Sequence, residues 1–428
     1  MWIGLDDTDS REGGCTTYIG FLLAYEAREY LVRFPRLVRL NPNITYKTRG
    51  NGAVSLQLSR KASSPIRIGK FNGEWIWSNS ANEGEDSFID ELKAPAENIV
   101  EKHYAKDQEN TNPALVFCME RPPESLYMDA LQREIDLNES MEFAKSHSSF
   151  FRIWGIGRGI TGSLASIAWR PGRRTYELIS YSYPHGDRVP DQDKRIIGEI
   201  CESREETFNS MDSNGHIALF PRERTPVIYG IRSVSHEVLL EIQSRIAEIY
   251  PQYDMNFIIY ETNQGTDDHI IHDPGTMEES GSYSVHGTVT GMPSRGIGGH
   301  LLIPFSANGI KTNLMAFEPS KEFRNTLENL RPGDILRAYG SMGKGNIKLE
   351  KIDLKGVSEI YRRTPPVCDV CGGKTMNQGR NVYECTECSR RCNPTYSGEG
   401  RNIHKGKYEP PVNARRHLSM PWKLEGYF

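Results

Sequence analysis

The chain has 428 residues, of which 37% are hydrophobic and 25% charged, and its formal net charge is −4. That length accommodates about two to four domains, and the composition is that of a soluble globular protein. No apolar run of about 18 residues predicts a membrane span, and residues 1–30 lack the pattern of a secretory signal.

Charge is unevenly distributed. Residues 81–140 hold 15 acidic against 5 basic side chains, whereas residues 360–428 hold 12 basic against 6 acidic ones. A basic C-terminal end on a mildly acidic chain predicts a polyanionic partner for that end. Of the eight cysteines, Cys368, Cys371, Cys385, Cys388 and Cys392 cluster near the C-terminus, and Cys15, Cys118 and Cys201 are scattered. Such clustering predicts a metal site in a reducing cytoplasm rather than a disulfide framework.

Residues 1–60 read as a strand, a loop, a helix over about Tyr18–Tyr30 and a strand pair. Thr16 or Thr17 is placed to cap that helix. "NITYKTRGNGAVSLQL" (43–58) reads as two strand-forming runs around a basic, glycine-rich turn. An acidic, partly helical stretch follows to about residue 110, then a buried strand "PALVFCM" and a helix over 124–147. From Phe150, "GIGRGITGSLASIAW" sets glycines before a small-residue helix. "TYELISYSY" and "VIYGIRS" read as strands, Glu237–Tyr250 as a helix and "NFIIYETNQGTDDH" as a strand with its loop. This mixture predicts an α+β sandwich of ferredoxin-like type. From Tyr283 the pattern turns all-β, with five short strands and a helix between the third and fourth. That order fits an OB-fold barrel, a common single-strand and RNA binder.

Several motifs carry chemistry. Cys368-x2-Cys371 and Cys385-x2-Cys388 supply four thiolates for one tetrahedral, closed Zn²⁺ site, with Cys392 as a fifth contender. The tail beyond interleaves Arg390, Arg391, Arg401, Lys405, Lys407, Arg415 and Arg416 with Tyr396, Tyr408 and Trp422, a mixture suited to phosphate and base contact; Arg390, Arg391, Arg415 and Arg416 are the RNA-binding candidates. "DDTD" sets Asp6, Asp7 and Asp9 at a strand end. Neighbouring carboxylates repel, and Mg²⁺ bridging a nucleoside triphosphate relieves that repulsion; Asp-rich turns and caps have the same composition. In "KTRGNG", Lys47, Arg49, Asn51 and Gly52 offer cations and amides to phosphate. In "GIGRGITG", Gly157, Arg158 and Gly159 either line a nucleotide or mark a tight turn. "TNQGTDDH" offers Asp267, Asp268 and His269 for a cationic substrate or for capping.

In order, "IGLDDTDSREGGCTTYIG", "PRLVRLNPNITYKTRGNGAVSL", "GRGITGSLASIAW", "TYELISYSY", "TPVIYGIRS" and "TNQGTDDH", then the barrel, the double CxxC and "ARRHLSMP", resemble the archaeal tRNA(Ile) 2-agmatinylcytidine synthetase family across essentially the whole chain. The resemblance implies a multidomain α+β protein. Its expected parts are a kinase-like α/β catalytic domain (1–125), a ferredoxin-like domain (126–275), an OB-fold RNA-binding domain (276–358) and a zinc ribbon with basic tail (359–428). It also implies a cytoplasmic ligase that uses ATP to join agmatine to C2 of the wobble cytidine in a CAU-anticodon tRNA(Ile), through a phosphorylated cytidine, so that AUA is read as isoleucine. Asp6, Asp7 and Asp9 match the family's acidic motif, and Thr16 matches a threonine that itself takes phosphate. The cytidine must leave its stack to react. Agmatine is a dication, which makes Glu261, Asp267 and Asp268 candidates for its pocket. The rival readings are an OB-fold and zinc-ribbon nucleic-acid binder without ligase activity, and an ATP-dependent RNA or protein kinase without amine ligation.

Overall fold

A computed structural model describes the chain except for Arg11, Tyr46, Thr48, Arg49, Asp107, Arg380 and residues 61–63, 81–86, 183–188 and 222–223. It forms two compact units. The first comprises Met1–Ser284, Tyr339–Lys351 and Glu409–Phe428, and the second Val285–Ala338 and Ile352–Tyr408. Among the described residues, no helix is long and apolar enough to cross a membrane.

The first unit is built on one eleven-stranded sheet. In chain order its elements are β1 (Trp2–Asp6), α1 (Thr16–Glu26), β2 (Leu31–Arg39), β3 (Gly52–Leu58), β4 (Pro65–Phe71), β5 (Glu74–Asn79), α2 (Ile89–His103), β6 (Ala114–Cys118), α3 (Glu124–Gln132), α4 (Leu137–His147), β7 (Phe150–Ile153), α5 (Ile160–Ala168), β8 (Thr175–Tyr181), α6 (Asp191–Glu202), β9 (Thr207–Phe208), β10 (Val227–Ser233), α7 (His236–Ile249) and β11 (Phe257–Thr262). The strands lie in the order β7-β6-β1-β3-β2-β5-β4-β11-β8-β10-β9, with β2 also pairing with β11. β1 is antiparallel to both neighbours, Gly4 facing Ser55 on β3 and Val116 on β6. β2 and β11 run parallel, with Arg36 opposite Glu261.

The period-two alternation of β1 decides its two faces. Ile3 and Leu5 enter the core shared with α1 and α2, while Trp2 enters the core shared with α3 and α5. Every residue of α5 except Thr161 is buried. Its small residues make this possible: a Cβ on Gly4 would lie 2.4 Å from the Ser163 carbonyl oxygen, so strand and helix approach at glycine distance. Fully burying an apolar side chain such as Leu164 in this core is worth about 1.5–3 kcal/mol.

Several local expectations are corrected. The first helix spans Thr16–Glu26 rather than Tyr18–Tyr30. Its N-cap is Cys15, without a side-chain cap, and the Tyr30 ring packs on Phe88 while its hydroxyl donates to Glu91. The strand before the glycine-rich turn is β2, with Arg39 pairing with Gly52, and no strand is formed by 43–45; Tyr46, the last residue of the expected run, lies outside the described residues. The helix expected over 124–147 is two helices. Asp136 accepts from the Asn138 N–H and restarts the helix as an N-cap. The β4–β5 hairpin turns on Asn72 (φ 49°) and Gly73 (φ 84°), both left-handed.

In chain order the next elements are β12 (Ile270–His272), β13 (Ser282–Val289), β14 (Ser294–Arg295), β15 (Leu301–Ala307), β16 (Ile310–Ala316), α8 (Lys321–Leu327), β17 (Ile335–Gly343) and β18 (Asn346–Gly356). Within the second unit, β15 is antiparallel to β16, to β14 and to the end of β13, and Gly406–Tyr408 pairs with the end of β18. The buried Asp334 holds Arg401 in an ion pair of 2.6 Å, which fixes that arginine of the basic tail inside this unit. Beyond β18, Thr375–Asn377, Tyr383–Cys385 and Arg391–Cys392 form a small antiparallel sheet that carries the cysteines.

Candidate active site and metal centre

In the first unit, a cavity of about 520 Å³ is lined by the end of β1, the start of α1, Arg39, Leu40, Ile44, Lys47 and 50–52, the end of α3, the start of α5, β8, 218–221, β10 and His417 of the C-terminal segment. Asp6, Asp7, Asp9 and Thr16 all line it, as do Lys47, Asn51, Gly52 and Arg158. The sequence spreads these eight residues over more than 150 positions, and the sheet brings them together. Arg49 lies outside the described residues.

Asp7 sits in the left-handed region (φ 57°), and its Oδ2 accepts from the Asn112 N–H at 3.1 Å. The Thr8 hydroxyl donates to the Thr16 hydroxyl oxygen at 3.0 Å, which leaves the Thr16 proton free to be donated elsewhere. Burial pushes the Asp6 carboxyl up to about 7, and Asp9 adds to the rise. Burial likewise raises Asp7 to about 8, with Asp6 and Asp9 adding to the effect. The cavity thus has an acidic wall that holds protons near neutral pH unless a cation compensates it.

The cavity is also lined by basic side chains, Arg39, Lys47, Arg158 and Arg232 among them. Burial lowers Lys47 to about 8, helped by Arg416 and Lys348, and its ammonium is turned to the Pro42 carbonyl. The Asn51 side chain donates to the Asn41 carbonyl at 2.8 Å, and its own carbonyl accepts from the Leu40 N–H at 2.9 Å, which fixes the loop. Arg39 and Arg232 flank the buried Glu177 at 3.7 and 3.0 Å. Gly157 (φ 75°) turns the chain into α5. A Cβ on Gly159 would come within 2.6 Å of the Asp6 carbonyl oxygen, so these two glycines shape the wall without lining it.

The three acidic candidates outside this motif are not among the cavity-lining residues. Glu261 is buried between Arg36 and Arg174, each at 3.5 Å. Asp267 is held by Lys351 and by the Met420 N–H, and Asp268 accepts from the Tyr127 hydroxyl. In the tail, Arg390 is exposed beside Asp369 and Arg391 is exposed. Arg415 pairs with Glu409 at 2.9 Å, and Arg416 pairs with Glu350 at 3.2 Å and donates to Asn43.

Residues 2–153 match the family model described as the TiaS TCKD domain, and residues 157–269 match the one described as the TiaS FLD domain. The isoleucine-tRNA 2-agmatinylcytidine synthetase TiaS of Thermoplasma volcanium is 39% identical over 430 residues, covering 100% of this chain and 98% of that one. Its counterpart from Methanocorpusculum labreanum is 33% identical, covering 98% and 96%. The chain belongs to the tRNA(Ile) 2-agmatinylcytidine synthetase family. Among solved structures, a complex of TiaS with its isoleucine tRNA and ATP matches with a TM-score of 0.79 at 31% identity, over 98% of this chain and 96% of that one. A complex of TiaS with the same tRNA, AMPCPP and agmatine matches with a TM-score of 0.78 at 29% identity, over the same shares.

The second unit carries the cysteine cluster. Cys368, Cys371, Cys385 and Cys388 place their sulfurs within 4.8 Å of one another. The Cys371–Cys385, Cys371–Cys388 and Cys368–Cys388 separations are 3.3, 3.5 and 3.6 Å. A tetrahedral ion with Zn–S bonds of about 2.3 Å needs sulfurs about 3.8 Å apart, so these four thiols could hold zinc. Cys392 lies instead with Cys368 and Asp369. Among the described residues, the Asp6, Asp7 and Asp9 oxygens do not form such a three-ligand group.

Sequence reading does not single out His417, which lines the cavity from the C-terminal segment. Its only sequence signal is its place in "ARRHLSMP", beside two arginines that draw attention to polyanion binding instead.

Proposed function

We propose that this chain uses ATP to join agmatine to C2 of the wobble cytidine of a CAU-anticodon tRNA(Ile), in the cytoplasm. The full-length likeness to relatives so named supports this reading. The observation that carries it is that Asp6, Asp7, Asp9 and Thr16 line one cavity together with Lys47 and Arg158. We assign the part matched by the first family model, to about residue 153, as kinase-like and the part matched by the second, to about residue 270, as ferredoxin-like; both contribute to the cavity. The strands of the second unit then form an OB-fold, and its cysteines a zinc ribbon.

The chemistry follows from these acidic and basic groups. The C2 oxygen of cytosine is a poor leaving group, so it is first phosphorylated, and amine attack then expels phosphate. Phosphoryl transfer needs positioning and charge neutralisation more than covalent participation. Lys47, Arg158 and the amides near Asn51 and Gly52 hold phosphate oxygens. Burial raises Asp6 and Asp7 toward neutrality as long as no cation compensates their charge. The same carboxylates fit Mg²⁺, which takes one or two carboxylates and fills its remaining positions with water and phosphate oxygens. When bound, it would neutralise triphosphate charge. Glu261, Asp267 and Asp268 are engaged by Arg36 and Arg174, by Lys351 and by Tyr127, so agmatine would have to displace those partners to use them, and Arg390, Arg391, Arg415 and Arg416 contribute to the field that attracts tRNA.

One assay tests the whole reading. Purified chain is incubated with ATP, CAU-anticodon transcript and labelled agmatine, and label is followed into RNA. Label that requires all three components supports the ligase. Phosphate transfer without amine incorporation would make the protein a kinase, and RNA binding without ATP turnover a mere binder.

A further inference from the structure

Glu177, Arg232 and His417 line the cavity, and all three meet one buried side chain behind it whose amide orientation its hydrogen bonds assign. Gln264 is buried, and its amide nitrogen donates to Glu177. A carboxylate only accepts, so this contact decides which end of the Gln264 amide is nitrogen. Oε1 of Gln264 therefore points the other way, where Arg232 Nε donates to it at 3.3 Å. His417 Nδ1 lies 2.8 Å from the same oxygen. Two donors converge on that oxygen, so Nδ1 carries the imidazole proton and Nε2 keeps the lone pair.

Nε2 faces Gly50: a Cβ on Gly50 would lie 3.2 Å from it. Among the described residues nothing hydrogen-bonds to Nε2, and His417 lines the cavity. Among the described residues, the charged groups around the ring are Arg39, Arg232 and Lys47, with Glu177 beyond Gln264. Arg39 above all, then burial, Arg232 and Lys47, hold the imidazole well below its ordinary range, so it is neutral at physiological pH. Arg39, Lys47 and Arg232, which line the same cavity, have only donors to offer. His417 is thus the neutral acceptor among these cations, oriented by a buried carboxylate–amide–imidazole chain.

The chain's C-terminal segment is anchored so that this placement is rigid. The Gly265 N–H donates to the His417 carbonyl at 2.8 Å, and the Asp267 N–H to the Leu418 carbonyl at 3.0 Å. Leu418 is buried in the core beside α5.

We propose that His417 accepts the proton lost by the attacking amine and delivers it to the departing phosphate. The proposal rests on the reading of this cavity as the reaction chamber. The amine enters as its free base. Its lone pair closes the N–C2 bond, and the C2–O bond breaks with its electron pair left on phosphate. One N–H proton passes to Nε2 and then to a phosphate oxygen, so that phosphate leaves as its singly protonated dianion. An imidazole whose charged form is disfavoured by Arg39 gives the proton up readily, which suits a shuttle better than a lasting base.

The test separates the two chemical steps on the full chain and a CAU-anticodon transcript. Transfer of the ATP γ-phosphate label to RNA without agmatine reads the first step, and labelled agmatine incorporation reads the second. His417→Gln is expected to keep the first step within about threefold and to slow the second by about 100-fold or more, the usual weight of a positioned acid–base group. In His417→Ala, added imidazole is expected to restore the second step alone. Agmatine joining within about threefold of the parent, or an equal fall in both steps without imidazole rescue, overturns the proposal. Absence of phosphate labelling in the parent chain overturns the reading of the cavity itself.

Discussion

A Cβ built on Gly162 would lie 1.8 Å from Oδ2 of Asp6. The first turn of α5 therefore seats directly on the carboxylate that ends β1, and no side chain fits between them. Gly162→Ala must displace the carboxylate or the helix, an overpacking that costs about 1–3 kcal/mol. The expected result is a lower melting temperature and loss of most ATP-dependent tRNA labelling. Gly172→Ala is the control, because nothing lies within 4 Å of the Cβ it would add. Equal activity and melting of the two variants would remove Asp6 from the site.

Thr16 opens α1 with its oxygen already accepting from Thr8. If its hydroxyl reacts, Thr16→Ser keeps modification within about tenfold while Thr16→Ala abolishes it. Loss of one hydrogen bond costs only about 1 kcal/mol, so both variants stay folded. Asp7→Ala is likewise expected to abolish modification. The readout is agmatine label in RNA beside a thermal melt, and an active Thr16→Ala would end the assignment.

These residues are legible in the sequence because their chemistry is concentrated: three carboxylates in four positions and two CxxC pairs speak without a fold. The glycines at 159 and 162 are legible only as a glycine-rich run. Their actual task, close approach to Asp6, depends on α5 lying across β1, which no local pattern encodes. The break between α3 and α4 is signalled by Asp136 but masked by helical spacing on both sides. His417 is hidden for a similar reason. The chain end that carries it lies far beyond α5 in sequence, and it returns to the first unit through buried pairs that no local pattern announces.

One of those pairs is Lys351 with Asp267. Lys351 is buried, its ammonium bonding Asp267 and the Met420 carbonyl, with the Trp422 ring 4.7 Å away. Asp267→Asn leaves that ammonium without its counter-charge, and breaking such a pair costs about 3–5 kcal/mol. A clear fall in melting temperature and faster proteolysis of the C-terminal segment are expected. Unchanged melting with a raised agmatine KM would instead make Asp267 a substrate ligand.

The cysteine cluster makes a compositional prediction. The purified chain should carry about one zinc, measured by mass spectrometry, held by four thiolates. Replacing Cys368 and Cys371 by Ser should release it and weaken tRNA binding far more than ATP binding. Full tRNA affinity in a zinc-free protein would detach the cluster from RNA recognition.

Acid stability should trace to Glu350. Burial alone would raise this carboxyl, but His269, 3.0 Å away, and Arg416 hold it down to about 2, below its ordinary 4.5. A carboxyl depressed in the folded state contributes stability above its unfolded value and loses it as pH falls toward the folded one. The shift corresponds to about 3 kcal/mol at most, withdrawn between about pH 4.5 and pH 2. Melts of the parent and Glu350→Gln should therefore be far apart at neutral pH and converge across that window. A gap that stays constant down to pH of about 2 would mean that Glu350 acts through packing rather than charge.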